Sequence, residues 1–430
     1  MKQNKNILTV RIVGAGLYGC LLASQLEKKF RKKIKIDIIE STENIISSYN
    51  SINLSKKRMN NGFHGIEYPR AKTLVNFIEN TLHLKLVKSN NIRLLGINEY
   101  LINYLDKKKI WPKELRDHFF KKQLSYIDKK NLKEFVDNKY INFLKKIGKR
   151  YTDNFQDIAH NFVPWFFPSE YKIKSHDEGD MFRDLVRDKK VKAFFYFPKS
   201  GIFEDIQKKF KKYLDQKKIK IYFNSSLKFH HDGYSVITKD NIVLNLPKAD
   251  HTFFTASSPI LLKNFDQNTF TSLLKIKKLY VNKLIEIKNI KNIKNFTEII
   301  FANKKLPNLL RISSLNHILK NKNIISLQAE LIVMNPNEIN LYDTTLIEII
   351  SSLFEIEINN IKIKDSKISR TLFFPKKSDR NKAISIIKKE IKKFENFHHN
   401  YVFGPPNMNK AWINSSRDVQ DLWYRFNNND

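Results

Sequence analysis

Near the start of the chain the spacing of apolar residues changes in a way that predicts a β-α-β unit. Residues 7–13 are short and mostly apolar, as in a strand buried on both faces. Residues 17–30 place Leu21, Leu22 and Leu26 on one side at helical spacing. Residues 34–39, Ile-Lys-Ile-Asp-Ile-Ile, read as a second strand ending at Glu40. Parallel strands need a crossover, and the helix provides it.

Residues 41–70 are rich in Ser, Asn and Gly without a clean period, and predict loop and short helix. Residues 71–160 predict mainly helix, from the spacing in Leu74-Val-Asn-Phe-Ile78, with a strand near 92–95. The aromatic-rich stretch 165–198 predicts a pocket or interface wall. A helix over 201–213 and a strand over 219–223 follow. Residues 234–238 and 242–246 predict a hairpin closed by Lys239-Asp240-Asn241. Residues 251–256, HTFFTA, predict another strand of the first sheet, leaving through Ser257, Ser258 and Pro259. Four stretches between 279 and 334 (LYVNKLIEI, FTEIIFA, LLRISS and IISLQAELIVM) predict a mixed or antiparallel second sheet. Helices are predicted near 345–354 and 383–397, and residues 404–422 return to the first domain. With no fixed repeat and no long linker, the domains are expected to interleave.

A chain of 430 residues suffices for two or three domains with a large core. Its charge is unusual: 78 Lys and Arg against 43 Asp and Glu give +35. Lysine is spread from Lys2 to Lys410, Ile, Asn and Phe are abundant, and Gly and Pro are scarce. That pattern looks like an A/T-biased genome choosing surface residues; the competing reading is attraction to anionic substrates or membrane surfaces. Under either reading the field concentrates acidic or phosphorylated ligands. No zinc finger, RNA-recognition signature or arginine-rich arm accompanies it, which argues against a nucleic-acid partner. The single cysteine, Cys20, excludes an internal disulfide and a cysteine-rich metal site, and reads as a packing residue. His230-His231 and His398-His399 make no metal site, because neighbours in a strand point to opposite faces and no carboxylate or cysteine set completes coordination. No apolar run reaches the roughly 18–20 residues of a transmembrane segment, and none at the start suits a secretory signal. The expected location is cytoplasmic.

The strongest local signal is Gly14-Ala15-Gly16-Leu17-Tyr18-Gly19 between strand and helix, with Glu40 21 residues after Gly19. Gly14 permits a tight turn, Gly16 leaves room for a pyrophosphate against the backbone, and Gly19 lets the helix pack close to the sheet. The helix N-terminus offers unpaired N–H groups to phosphate, and Glu40 can accept both hydroxyls of an adenosine ribose. An acid there argues against NADP. A bare glycine pattern would be a ligand-free turn; strand, turn, helix, strand and terminal acid in order predict a dinucleotide.

The segment after Glu40 carries Asn53, Arg58, Asn61, Gly62, His64 and Arg70. Asparagine amides and glycine backbone can hydrogen-bond phosphate, ribitol or the polar edge of a flavin, and the two arginines can hold a phosphate or carboxylate bidentately. The bland alternative is a polar surface loop. His64 is the best base or flavin-edge candidate, because imidazole titrates near neutrality; its alternative is a loop anchor. A second set, Arg183, Arg187, Tyr196 and Lys199, could hold an anion or form a solvated surface, and Trp165, Phe166 and Phe167 could stack on a ring or pack between domains.

Asn61-Gly62-Phe63-His64 and Tyr68-Pro69-Arg70-Ala71 resemble the loop of D-amino acid oxidase/glycine oxidase-like FAD-dependent oxidoreductases, approximately N-Q-x-R-x-H-x-G-Y-H-Y-P-R-S in bacterial members, with Ile66 and Glu67 widening the spacing. The wider architecture resembles the amine oxidase and UDP-galactopyranose mutase flavoproteins, through the helix-strand module at 201–223 and the exit at 256–259. The resemblance implies an α/β plus α+β fold: a discontinuous Rossmann-like FAD-binding domain (1–75, 195–265 and 400–430) interleaved with a mixed-sheet substrate or cap domain (76–194 and 266–399). It implies FAD held by Gly14, Ala15, Gly16, Leu17, Tyr18, Gly19, Glu40, Asn53, Arg58, Asn61, Gly62 and Asn409. His64, Arg70 and Tyr196 are the catalytic candidates. Two departures stand out: Ser47-Ser48 replaces a double glycine, and Gly404-Pro-Pro-Asn replaces the usual C-terminal G-D or G-H element.

The expected activity is FAD-dependent oxidation of a small polar or anionic substrate, such as an amino acid or sugar derivative, with an unidentified electron acceptor. The alternatives are a non-redox flavin-dependent sugar-nucleotide mutase and a nucleotide-binding scaffold or nucleic-acid-associated protein without enzyme activity.

Overall fold

Two sheets organise the chain. The first is five-stranded and wholly parallel, in the order Lys220–Tyr222, Ile34–Ile39, Leu8–Val13, His251–Phe254, Phe397–His399. Its central strand, Leu8–Val13, is covered on both faces and buries Val10, Ile12 and Val13, with Arg11 buried beside them. One face packs Leu21, Leu22 and Leu26 of the helix Leu17–Phe30 with Phe203, Phe210 and Leu422. The other packs Val13, Ile39 and Phe254 against Leu261, Leu262, Ala383 and Ile387. The computed structural model describes residues 7–62, 64–68, 71–89, 93–97, 100–103, 194–231, 233–274, 277–288, 296–302, 305–306, 308–315, 318, 323–373, 377–400 and 408–428. Arg70, residues 165–167, Arg183, Arg187 and residues 404–407, all singled out above, lie outside them.

The second sheet has seven strands, in the order Ile361–Phe373, Lys277–Lys288, Ile324–Val333, Leu309–Ser314, Glu298–Ala302, Arg93–Ile97, Tyr100–Asn103. It is mixed, since Glu298–Ala302 runs parallel to Arg93–Ile97 while the other pairs are antiparallel. On one face Val281, Ile285, Ala329 and Leu331 pack under the helix Asp343–Phe354 through Leu346, Ile349 and Ile350. This is the expected interleaving of a Rossmann-like parallel sheet with a mixed sheet.

Several elements differ from expectation for identifiable reasons. Residues 41–70 hold a hairpin, Ser51–Leu54 with Lys57–Asn60, closed by Ser55 and Lys56 at φ 46° and 62°. Such turns usually advertise themselves with Asn or Gly, and this one does not. The helix expected over 383–397 spans Lys377–Ile391; Asn396 at φ 51° then redirects the chain into the strand Phe397–His399. That strand belongs to the parallel sheet, so it sides with the first domain rather than with the 266–399 segment. The 13-residue strand Ile361–Phe373 carries no expectation above, despite its Ile-Lys-Ile-Lys alternation. The hairpin around residues 239–241 forms, with its second strand shortened from 242–246 to Val243–Leu244 and Asn241 at φ 62°.

The last helix, Met408–Asn428, lies against the first. Phe30 meets Trp423 and Phe426 edge-on at 4.9 and 5.5 Å between ring centroids, and Gln25 bonds both Ser415 and Ser416 at 2.9 Å. Buried Tyr18 donates its hydroxyl to Asp418 and accepts from the Asn400 amide. Burial, reinforced by the Asp418 charge, pushes the Tyr18 phenol far up; burial also raises the Asp418 carboxyl.

Candidate dinucleotide site and the buried polar face beside it

The glycine turn is built as its spacing requires. Gly14 sits at φ 107°, donates its N–H to the Ile39 carbonyl (2.8 Å), and receives the Thr255 hydroxyl on its own carbonyl (2.8 Å). A Cβ on Gly19 would lie 2.0 Å from the Gly14 carbonyl oxygen, so the helix seats on the strand through bare backbone. A Cβ on Gly16 would meet nothing within 4 Å. Gly16 is the extended residue immediately before the helix. The first-turn N–H groups of Leu17, Tyr18 and Gly19 have no carbonyl one turn back within the helix, the arrangement that binds phosphate.

Glu40 closes the opposite side. Its Oε2 accepts the Ala15 N–H at 2.6 Å, while Oε1 accepts the Thr42 N–H and hydroxyl, both at 2.9 Å. The carboxylate therefore points at the turn. Two oxygens offer about four lone-pair sites, and Oε2 accepts only one of these bonds. Cys20, one helical turn on, is buried with its sulfur 3.3 Å from the Ala15 carbonyl; burial, then the Glu40 charge, push its thiol well up, as suits packing rather than reactivity.

The other sequence candidates divide. Asn53 is exposed on the hairpin, opposite Arg58. Arg58 bonds Ser51 (2.8 Å) and pairs with Glu204 (2.9 Å). Burial opposes ionisation of Glu204, but hydrogen bonds from Ser51, Arg58 and Lys208 outweigh it and hold the carboxyl near about 2. Asn61 accepts the Asn282 amide at 3.2 Å, and Gly62 sits at φ 88° with the Tyr280 ring just beyond it. The half-buried His64 ring meets Tyr49 edge-on at 5.2 Å and Phe203 at 5.4 Å. Tyr196, also half-buried, pairs in register with Ile66, two residues past His64. Asn409 falls at the start of the last helix. His398 and His399 face opposite ways as expected: His398 stacks on Phe253 and approaches His251 (3.1 Å), while His399 bonds the Phe254 carbonyl and the Ser258 hydroxyl, each at 3.0 Å. No metal-holding cluster occurs among the described residues.

Sequence reading missed the wall facing this loop. Tyr280, Asn282, Arg311, Ser313, Gln328 and Glu330 are all buried, on the sheet face opposite the apolar one. Tyr280 donates to Glu330, and Arg311 Nε lies 3.5 Å from the same carboxylate. Gln328 donates to the Asn60 carbonyl (3.0 Å) and to Asn282 Oδ1 (2.8 Å). Asn60 in turn binds the Gly201 carbonyl and the Phe203 N–H. Asn60 and Asn61 are thereby bonded across the domains. The signal was present: Tyr280-x-Asn282, Arg311-x-Ser313 and Ser326-x-Gln328-x-Glu330 place polar groups at every second position of strands whose other face is apolar except at Lys283.

The fold is one shared with several solved flavin-enzyme structures. The chain is similar to reduced UDP-galactopyranose mutase (14% identity, 97% of this chain and 95% of that one, TM-score 0.64), to a cofactor-binding redesign of putrescine oxidase (11%, 97% and 99%, 0.61), and to a fatty acid isomerase from P. acnes that produces CLA (11%, 96% and 98%, 0.58). No protein-family model matches the sequence, and no curated protein matches it. The likeness is one of architecture and does not single out D-amino acid oxidase. A mutase, an oxidase and an isomerase share this architecture, so the fold by itself does not choose the reaction. Among the described residues no helix is long and apolar enough to cross a membrane.

Proposed function

We propose that the protein is an FAD-dependent oxidoreductase acting on a small polar molecule such as an amino acid or sugar derivative. The observation that carries this reading is the open backbone at Gly16 with the Glu40 carboxylate turned toward the same turn. These residues fit an adenine dinucleotide: the Leu17 and Tyr18 N–H groups for the pyrophosphate, Glu40 for the adenosine ribose, and Gly62 with Asn61 leading toward the ring system. When bound, FAD supplies the acceptor for the two electrons that leave a substrate C–H next to an amine or hydroxyl.

The residues of the chain do the rest. His64, held by aromatic rings on two sides, is the proposed group that takes the substrate proton, with Tyr196 and Arg70 as partners in orientation. The Asn60, Asn61, Asn282 and Gln328 amides fix the loop before His64, and the sheet face carrying Tyr280, Arg311 and Glu330 forms the proposed substrate-side wall. Burial of that wall excludes water, which strengthens each polar contact within it.

The test is direct. Purified protein is expected to be yellow, to release FAD on denaturation as identified by mass spectrometry, and to bleach anaerobically with an amine or hydroxy substrate. Folded protein that takes up no FAD would overturn the reading. Turnover that requires prior flavin reduction and leaves the substrate's oxidation state unchanged would replace oxidation with the mutase alternative.

A further inference from the structure

We infer that the chain has a second binding site, for a neutral sugar residue, on the far side of the second sheet from His64. A groove of about 590 Å³ lies between the loop after the strand Ile324–Val333, the start of the helix Asp343–Phe354 and the edge strand Ile361–Phe373. Asn337, Asn340, Asp343, Lys364, Asp365 and Ser366 supply its polar lining. That volume is within the usual range for small-molecule sites, about 300–1,000 Å³.

Directly behind the lining lies Lys283, whose side chain is 0% exposed. Its ammonium reaches Asp343 Oδ1 at 2.7 Å and the Ser366 hydroxyl at 2.8 Å. An ammonium buried on the strand face that also carries Val281 and Ile285 is costly to keep. The edge strand also bulges at this point: Leu284 pairs with Asp365 and Ile285 with Ile363, leaving Lys364 as the extra residue. Bulges re-aim side chains and gather near binding sites. Edge protection accounts for the exposed Lys362, Lys364 and Lys367. It does not account for a buried lysine one strand further in.

The ligand class follows from charge. In a chain of net charge +35, the charges at the groove are answered locally: Lys283 pairs with Asp343, Lys364 lies 3.9 Å from Glu286, and Asp365 accepts the Ser55 and Ser366 N–H groups. The site carries no surplus of positive charge where the rest of the surface is basic, so it is not built to collect anions. Its asparagine amides, carboxylates and hydroxyl offer donors and acceptors together, which suits a ring bearing several hydroxyl groups. Ile339 and Ile363 supply apolar surface for the ring's C–H face.

Saturation-transfer NMR on the full chain tests this with methyl β-D-galactopyranoside and methyl α-D-glucopyranoside, alongside D-glucuronate. At least one neutral glycoside is expected to bind with a millimolar Kd. Asp343→Asn should weaken it about 10-fold and Asn340→Ala about 3-fold, the range expected for one charged and one neutral hydrogen bond. Asn340 is exposed, so its replacement leaves the fold intact. The inference is overturned if neither glycoside binds, if binding is unchanged in both variants, or if only glucuronate responds to them. None of these readouts involves FAD, so this site and the proposed flavin reaction stand or fall separately.

Discussion

The glycine turn and the buried face of the second sheet are built on opposite plans. The turn works by leaving things out: no side chain at Gly16, none at Gly19, and backbone N–H groups open to a ligand. The sheet face works by filling space with polar groups that answer one another, Tyr280 and Arg311 on Glu330, Gln328 on Asn282 and Asn60. The difference teaches where failure shows. Damage to the turn should appear first in cofactor binding, and damage to the sheet face first in stability.

The largest effect is expected at Arg311→Met. It leaves Glu330 buried without its cation, a loss of about 3–5 kcal/mol, read as a lower denaturant midpoint with or without cofactor. A loss under about 1 kcal/mol would mean that the pair contributes little, and the contrast drawn here would fail. Next is Gly16→Val: the extended backbone at φ −64° accepts a β-branched residue, so the midpoint should hold within about 0.5 kcal/mol. FAD affinity should nevertheless fall about 100-fold or more, because the side chain fills the pyrophosphate's place. Gly19→Ala sharpens the comparison within the same motif. Its Cβ strikes the Gly14 carbonyl, so about 1–3 kcal/mol of stability should go together with affinity. Glu40→Gln is milder: FAD should bind about 10-fold more weakly, measured by fluorescence titration of apoprotein.

The smallest effect is a pH dependence from the edge of the parallel sheet. Burial lowers His398, with the nearby His251 and Arg425 charges adding to it, and burial lowers His399; both fall to about 4. Between pH 4 and the unfolded value near 6.5, the unfolded chain binds more protons. Stability is therefore complete above about pH 6.5 and is lost as the pH falls toward 4. The denaturant midpoint should drop between pH 7 and pH 5, and drop less in His399→Gln. Equal drops in both proteins would assign the effect to other groups.

The turn was legible in the sequence because its chemistry is local. Gly14, Gly16 and Gly19 form the expected strand-turn-helix junction, and Glu40 ends the second strand with its carboxylate on Ala15. Four of the five strands of the parallel sheet and most described strands of the second sheet were legible from apolar runs. What could not be read was pairing over distance. Glu330 is an ordinary polar residue in a strand until Tyr280 and Arg311 are brought beside it, and Arg58 reads as a phosphate ligand until Glu204 arrives from the helix Glu204–Gln216. Phe397 looks like the end of a helix until Asn396 turns the chain and the edge of the first sheet receives it.

The hydrogen bond from Tyr18 to Asp418 spans a sequence separation of 400 residues. On the ribosome, the first helix must wait for about 400 further residues before Trp423 and Phe426 emerge to pack on Phe30. The nascent chain is thus committed to late closure, and its exposed apolar stripe is a natural target for chaperones until then.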